Sequence, residues 1–292
     1  MKPAAFVHHE PRTLEEATSL LAEVGPDDGR VLAGGQSLVP AMALRLARPA
    51  HLVDINRIDE LTRLGFSDGV LSIGACVRHA AFHKPSGPGP LERLLSAVVR
   101  HIAHYPIRTR GTFCGSLANA DPASEWCLVA VTLDAALVAD SRRGRRTIAA
   151  ADFFQGIMTT ALQADELLVE TRLRLLATET RFGFYEFSRR AGDFAQAMTL
   201  AAFELAEGVI ASPRVGVGAV EAAPRRLGIV EDFLAGREPS QRTFEAAAEL
   251  ARGDVDPTEE TTDGVDYKRD LVRATTLRAL EQAASGPLHA AN

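Results

Sequence analysis

The chain has 292 residues, 46% of them hydrophobic and 24% charged, enough to bury cores for two domains without disulfides or structural metals. A formal net charge of −6 supplies no basic field, which sets nucleic-acid binding aside. Its three cysteines, Cys76, Cys114 and Cys127, fit no zinc or iron–sulfur ligand set and no disulfide framework, so a reducing cytoplasm is expected, and no stretch approaches the roughly 20 apolar residues that span a bilayer.

Met1 to Glu10 lacks the apolar core of a signal peptide. Thr13 and Glu16 then form a Thr-x-x-Glu capping box, and Leu14, Ala17, Leu20, Leu21 and Val24 share one helical face, predicting a helix over 13–24 that stops at Gly25. A strand over 30–33 runs into Gly34-Gly35-Gln36-Ser37, followed by a helix over 38–46 and a strand over 51–55. That order predicts a small parallel unit. A strand over 70–75 and a helix over 91–104 flank a Gly- and Pro-rich loop at 84–90. Asp121-Pro122 reads as the N-cap and first residue of a helix running to about Thr132. Segments 135–139 and 145–148 flank a Ser-Arg-Arg-Gly turn and predict a hairpin, and 166–175 alternates as a strand. A domain boundary is placed near 176–180. Beyond it, strands over 182–188, 198–206 and 214–220 precede helices over 225–234, 243–252 and 267–284, with a polar link at 254–263. Strands followed by helices predict an α+β domain.

Two glycine-containing loops carry the chemistry. In Ala33 to Ser37, between a strand and a helix, glycines let the main chain approach a phosphate, and the helix start offers free N–H groups and a favourable dipole. A simple tight turn fits the same residues. The loop is neither a Rossmann Gly-x-Gly-x-x-Gly nor a Walker loop. The second loop, Thr109 to Glu125, is small and hydroxylated: Thr112, Gly115 and Ser116 offer hydroxyl and amide donors, and Glu125 suits ribose hydroxyls. Its bland alternative is a long loop with a helix cap at Asp121. His8, His9, His101 and His104 come with no partner set that makes a metal site. Arg142, Arg143, Arg145 and Arg146 read as a solvated turn, and Trp126 as a core residue.

Four segments together resemble a known family: Ala-Gly-Gly-Gln-Ser-Leu at 33–38, Arg-Gly-Thr-x-x-Gly-Ser-Leu-Ala-x-Ala-Asp-Pro-Ala-x-Glu at 110–125, Glu186 to Ala195, and Asp266-Tyr267-Lys268-Arg269. In order and spacing they are similar to the FAD-binding medium subunit of molybdenum hydroxylases, the group of xanthine dehydrogenase, aerobic carbon monoxide dehydrogenase, and nicotine and caffeine dehydrogenases. The resemblance implies an α+β chain: a vanillyl-alcohol-oxidase-type FAD domain over 1–177, in parts of about 1–56 and 57–177, then an α+β domain over 178–292 with a three-stranded antiparallel sheet and helices. It implies that Ala33, Gly34, Gly35, Gln36, Ser37 and Leu38, with Thr112, Phe113, Cys114, Gly115 and Ser116, hold the FAD diphosphate. Glu125 would take the ribose, and Asp193 and Phe194 would meet the isoalloxazine ring. Ile107, Ala120, Asp121, Leu162 and Leu167 join the implied FAD site; no catalytic acid, base or metal ligand is expected. The implied partners are a small subunit with two 2Fe-2S clusters and a large molybdopterin subunit, in a dimer of heterotrimers. A stand-alone FAD oxidoreductase and a flavin-less scaffolding subunit are the competing readings.

The chain departs from the family pattern at three positions. Cys114 stands where Gly is common, and would be strained if the site needs a positive φ. A structural role is expected for its thiol. Phe194 replaces a frequent Tyr and loses its hydroxyl, and Asn119 replaces a frequent His.

Overall fold

The computed structural model describes residues 2–258 and 264–286. Near the N-terminus, β1 (Val7–His9), β2 (Gly29–Leu32) and β3 (His51–Asp54) form a parallel sheet in the order β1-β3-β2, with α1 (Leu14–Val24) and α2 (Leu38–Ala43) in the connections. The predicted parallel unit thus gains a third strand, whose three residues are too short to show alternation. Thr13 caps α1, its Oγ1 accepting from Glu16 N–H at 3.1 Å. The Glu16 carboxylate accepts from Arg12 N–H at 2.7 Å, one residue ahead of the expected reciprocal bond. The helix α2 stops short of its predicted end, and Arg45 just beyond it has φ 61°.

Next come β4 (Leu64–Ser67), β5 (Val70–Gly74), β6 (Ala136–Asp140), β7 (Arg146–Ala149), the two-stranded pair β8 (Phe154–Gly156) and β9 (Thr159–Thr160), and β10 (Leu167–Arg174). Five of them form an antiparallel sheet in the order β4-β5-β10-β6-β7, which includes the predicted hairpin. Five α-helices belong to this part: α3 (Pro90–Val98), α4 (Tyr105–Arg108), α5 (Phe113–Asn119), α6 (Glu125–Thr132) and α7 (Ala150–Phe153). The apolar spacing of α3 continues to Ile102, yet the helix ends at Val98. Arg108 Nη1 draws the carbonyls of Arg100, Ile102 and Ala103 to itself at 3.0, 2.9 and 3.2 Å, which fixes a non-helical turn. The basic turn is not merely solvated: Arg143 pairs with Asp165, Arg145 with Asp140, and Arg146 with Glu166.

The C-terminal part holds β11 (Arg181–Phe187), β12 (Ala197–Ala206), β13 (Val209–Gly218) and β14 (Arg225–Arg226), antiparallel in that order, then α8 (Gly228–Leu234), α9 (Gln241–Asp254) and α10 (Val265–Ala284). The expected three-stranded sheet therefore has a fourth strand, two residues long, taken from the predicted start of the helix at 225. The Arg225 and Arg226 side chains are drawn instead into ion pairs with Glu221 and Asp254, and with Asp134 and Glu231. Of the predicted polar link, residues 259–263 lie outside the described residues.

The alternation of β12 assigns the two faces of this sheet. Met198 and Leu200, with Phe184 of β11, join the core of the N-terminal part, whereas Ala197, Ala201 and Phe203 pack with α9 and α10. Glycines allow the close approaches on both sides. A Cβ on Gly216 would stand 2.0 Å from Thr132 Oγ1 of α6, and one on Gly183 would stand 2.0 Å from the Ala279 carbonyl of α10. Accordingly α6 is buried on every side, from Trp126 through Thr132, between the C-terminal sheet and the helices α5 and α7.

Candidate functional site

The first glycine loop leaves the carboxyl end of β2, and the second loop meets it there. A Cβ on Gly34 would lie 2.4 Å from the Arg110 carbonyl oxygen and 2.7 Å from Gly111 Cα, so only glycine permits the contact. Gly35 has φ 71°, a conformation that also favours glycine. Among the described residues, the N–H groups of Gly34, Gly35, Gln36 and Ser37 donate to no protein acceptor, while the carbonyls of Gly35 and Ser37 accept from Val39 and Ala41. The free N–H groups precede a helix start, where an anion is the favoured partner.

Two residues that sequence reasoning missed join the loops. Asn56 Nδ2 donates to the Ala33 carbonyl at 2.7 Å. Its Oδ1 accepts from Arg78 Nη2 at 2.6 Å, and Arg78 Nη1 donates to the Arg110 carbonyl. Asp54, at the end of β3, holds Asn56 by its backbone N–H and its Nδ2, at 3.0 and 2.6 Å. No single-sequence signal marks this bridge, because Asn56 and Arg78 are brought to the loops by separate strands.

Behind the second loop stands His79. Its N–H donates to the Gly111 carbonyl at 3.0 Å, and its Nε2 would be 2.6 Å from a Cβ on Gly111. Trp126 Nε1 donates to His79 Nδ1 at 2.9 Å, so the neutral imidazole carries its proton on Nε2. Burial, then the charges of Arg78 and Arg108, push the His79 pKa down to about 4. Trp126 is a fully buried core residue, as expected.

The second loop differs from the expectation of a long irregular segment: α5 lies within it. Thr112 is the N-cap, its Oγ1 accepting from Gly115 N–H at 3.1 Å, and Ser116 N–H donates to the Thr112 carbonyl. The predicted amide donors at Gly115 and Ser116 are therefore engaged inside the turn, as is Phe113 N–H on the Val77 carbonyl. Cys114 is free of the suspected strain, because its φ is not positive. Its thiol points into the core, 3.4 Å from the Ile73 carbonyl and 3.2 Å from Thr171 Oγ1, and burial pushes its pKa up to about 12. The expected structural role fits that position. Asn119 Nδ2 lies 3.4 Å from Met158 Sδ.

Asp121 is not the cap of α6. Ala120 ends α5 with φ 51°, Asp121 Oδ1 accepts from Ala123 N–H at 2.9 Å in a local turn, and Ser124 is the residue before the helix. The Ala120 carbonyl accepts from Met158 N–H at 3.0 Å, beside the β8–β9 pair that leads to Leu162. Leu167 is buried at the start of β10. Ile107 lies on α4 and its carbonyl accepts from Arg110 and Gly111 N–H, tying the helix to the second loop. Ahead of α4, the His104 ring lies 2.3 Å from where a Cβ on Gly192 would stand, and Gly192 has φ 87°. Asp193 and Phe194 follow on this turn, with Phe194 75% exposed.

Glu125 starts α6, half-buried. Desolvation, then the charge of Glu186, push its pKa up to about 8, and desolvation pushes Glu186 up to about 7. Among the four histidines, His101 approaches Glu186 at 3.8 Å, while His8 Nε2 lies 3.3 Å from Asp54 Oδ2 with Glu10 nearby, a trio that shares Asp54 with the Asn56 bridge.

Glycine-walled loops in contact at the end of a parallel sheet, with free N–H groups along one of them, define a two-domain α+β protein built to receive an anionic ligand. Residues 4–173 match the family described as FAD binding domain in molybdopterin dehydrogenase, and residues 183–283 match the CO dehydrogenase flavoprotein C-terminal domain. The chain is 36% identical over 99% of its length to caffeine dehydrogenase subunit beta of Pseudomonas sp. (strain CBB1), covering 98% of that protein. It is 35% identical over 97% of its length to the nicotine 6-hydroxylase medium subunit of Paenarthrobacter nicotinovorans, covering 99% of it. A chain of quinoline 2-oxidoreductase from Pseudomonas putida 86 superposes with a TM-score of 0.91 at 36% identity, covering 99% of this chain and 100% of that one. The chain belongs to the FAD-binding family of molybdopterin dehydrogenases.

Proposed function

We infer that the chain is the FAD-binding medium subunit of a molybdenum-dependent hydroxylase complex. The observation that carries this is the packing of Gly34 on Arg110–Gly111, with the N–H groups from Gly34 to Ser37 left for a ligand. The residues present fit a dinucleotide: the glycines let the two loops pack main chain on main chain, the free amides suit a diphosphate, and Glu125 suits a sugar hydroxyl. The chemistry such a flavin supplies is electron transfer, from 2Fe-2S clusters on a small subunit to an external acceptor, with the organic substrate handled on a large molybdopterin subunit.

The chain's own work is binding and orientation. Ala33 to Leu38 and Thr112 to Ser116 would hold the diphosphate, the second loop through its shape more than through the Gly115 and Ser116 amides, with the buried Thr112 hydroxyl capping α5. Asp193 and Phe194 would lie against the ring, Phe194 with an apolar face and no hydroxyl. Ile107 and Ala120 would frame the site through the main-chain links described above, Asp121 through its side-chain turn and Leu162 after the β8–β9 pair, with Leu167 acting from the core. The domain boundary is placed at 177/178, with the first domain of the vanillyl-alcohol-oxidase type, and the assembly as a dimer of heterotrimers in the cytoplasm. Among the described residues no helix is long and apolar enough to cross a membrane.

Isolation of the chain from its native source tests the proposal. The expected result is about one FAD per chain with two co-purifying subunits, one carrying iron and acid-labile sulfide and one carrying molybdenum. A chain isolated without flavin that also fails to bind added FAD would overturn it. So would turnover of an organic substrate by the flavin-loaded chain alone.

A further inference from the structure

Glu186 stands in a register row of the C-terminal sheet, Glu186–Met198–Gly218. The row faces the N-terminal part, because Met198 lies in that part's core and Glu186 shares its strand face with Phe184 of the same core. At the far end of the row the Pro122 carbonyl lies 3.4 Å from where a Cβ on Gly218 would stand, and accepts from Ala219 N–H at 2.8 Å. The segment running from Pro122 to Glu125 therefore docks on the row from which Glu186 projects.

The Glu186 side chain is only 4% exposed, and its Oε2 meets no hydrogen-bond donor among the described residues. His101 Nδ1, at 3.8 Å, is beyond hydrogen-bond reach, and burial lowers the His101 pKa, so it supplies no cation near neutral pH. The other charges bearing on Glu125 are Asp121, which adds repulsion, and Arg108, the weakest contributor. Glu186 thus brings one unpartnered oxygen to the junction it shares with Glu125. Such an oxygen costs folding free energy until a ligand supplies the missing O–H or N–H. Burial raises both acids, Glu125 to about 8 and Glu186 to about 7, so the pair holds less than its full two negative charges near neutral pH, which suits neighbouring hydroxyls.

We propose that Glu125 and Glu186 form one two-carboxyl acceptor site for the vicinal hydroxyls of the dinucleotide's adenosine ribose, spanning the junction of the two domains. The proposal rests on the flavin-binding reading above. Glu125 receives the ribose from the α6 side, and Glu186 closes on it from the sheet. In the flavin-free chain, Glu186 is a liability to the fold; in the loaded chain, it is a ligand contact.

Those two states give opposite signs in one experiment. The full-length chain is stripped of flavin, then titrated with FAD and with the FAD analogue lacking the 2′-hydroxyl of the adenosine ribose, alongside Glu186→Gln. The wild type is expected to bind FAD more tightly than the analogue. Glu186→Gln is expected to weaken FAD by about tenfold and to lose most of the discrimination between the two. The flavin-free variant is expected to melt at the same or a higher temperature than the flavin-free wild type. An unchanged preference for FAD over the analogue in Glu186→Gln overturns the proposal. A lower melting temperature with equal weakening of both ligands overturns it as well, since that is the signature of a structural residue. Failure of the wild type to bind FAD at all would fault the flavin reading itself and is recognised before the variant is made.

Discussion

His79 is where one side chain controls the shape of the second loop. Its Nδ1 is committed to Trp126, its main chain to Gly111, and its ring occupies the space that a Gly111 side chain would need. Protonation would put a proton on Nδ1 and oppose the Trp126 N–H, and the buried ring could not solvate the charge. The folded pKa, about 4, is therefore below the ordinary 6.5. Between those values the folded chain holds fewer protons than the unfolded one. The His79 contribution to stability is full above 6.5 and is lost as pH falls towards 4, amounting to about 2 kcal/mol between about pH 7 and about pH 5. Glu125 and Glu186 act with the opposite sign, since their raised values favour the fold at low pH and withdraw that support as pH rises through about 7 and 8. Urea unfolding of the flavin-free chain at the two pH values, for wild type and His79→Gln, isolates the histidine. The variant is expected to be less stable at pH 7 yet to lose less stability on acidification. Equal acid losses in the two proteins would show that His79 is already protonated in the fold or that its partner is not Trp126.

Among the elements, α5 is the one on which the second loop depends. It has seven residues, too few to be stable by propensity alone, so its cap and its packing fix its position. Thr112→Ala removes the acceptor for Gly115 N–H and is expected to cost about 1 kcal/mol of stability, with Thr112→Ser restoring most of it. FAD affinity, followed by quenching of flavin fluorescence, is expected to fall in Thr112→Ala and recover in Thr112→Ser; unaltered affinity in the alanine variant would show that the cap does not shape the loop. The sequence reveals elements of this kind unevenly. The Thr13 cap, the 3.6-residue period of α1 and the long strands of the C-terminal sheet are legible because their signals are local. By contrast β1, β4, β14 and α5 are too short for a period to register, and Asp121-Pro122 mimics a helix start while serving a turn. The glycine loops were legible as residues, but their contact through Gly34 and Gly111 is not local. Neither is the Asn56–Arg78 bridge, nor the row that brings Glu186 towards Glu125. Each depends on which strands pair and in what register, and a single sequence does not contain that choice.

At the scale of the whole molecule, the two family matches meet between residues 173 and 183, yet the packing does not divide there. The helix α6 comes from the N-terminal part and is buried on all sides because β12 and β13 of the C-terminal sheet cover one flank. Met198 and Leu200, from the C-terminal sheet, are members of the N-terminal core. Arg226 adds a polar tie, its Nη1 meeting both oxygens of Asp134 at 2.8 and 2.9 Å, but Asp134 is half exposed and such a pair contributes little. The apolar junction should therefore govern cooperativity, and the chain should unfold in one transition despite its two domains. Trp126, the sole tryptophan, reports on α6, whereas far-ultraviolet circular dichroism reports on the helices and strands of both parts. In urea the two signals are expected to give coincident midpoints for the flavin-free chain. Asp134→Ala should shift both together by less than about 1 kcal/mol. A dichroism change that precedes or trails the Trp126 signal would mean that the C-terminal sheet separates from α6 while the rest stays folded. In that case the Glu125–Glu186 junction would open independently of the glycine loops.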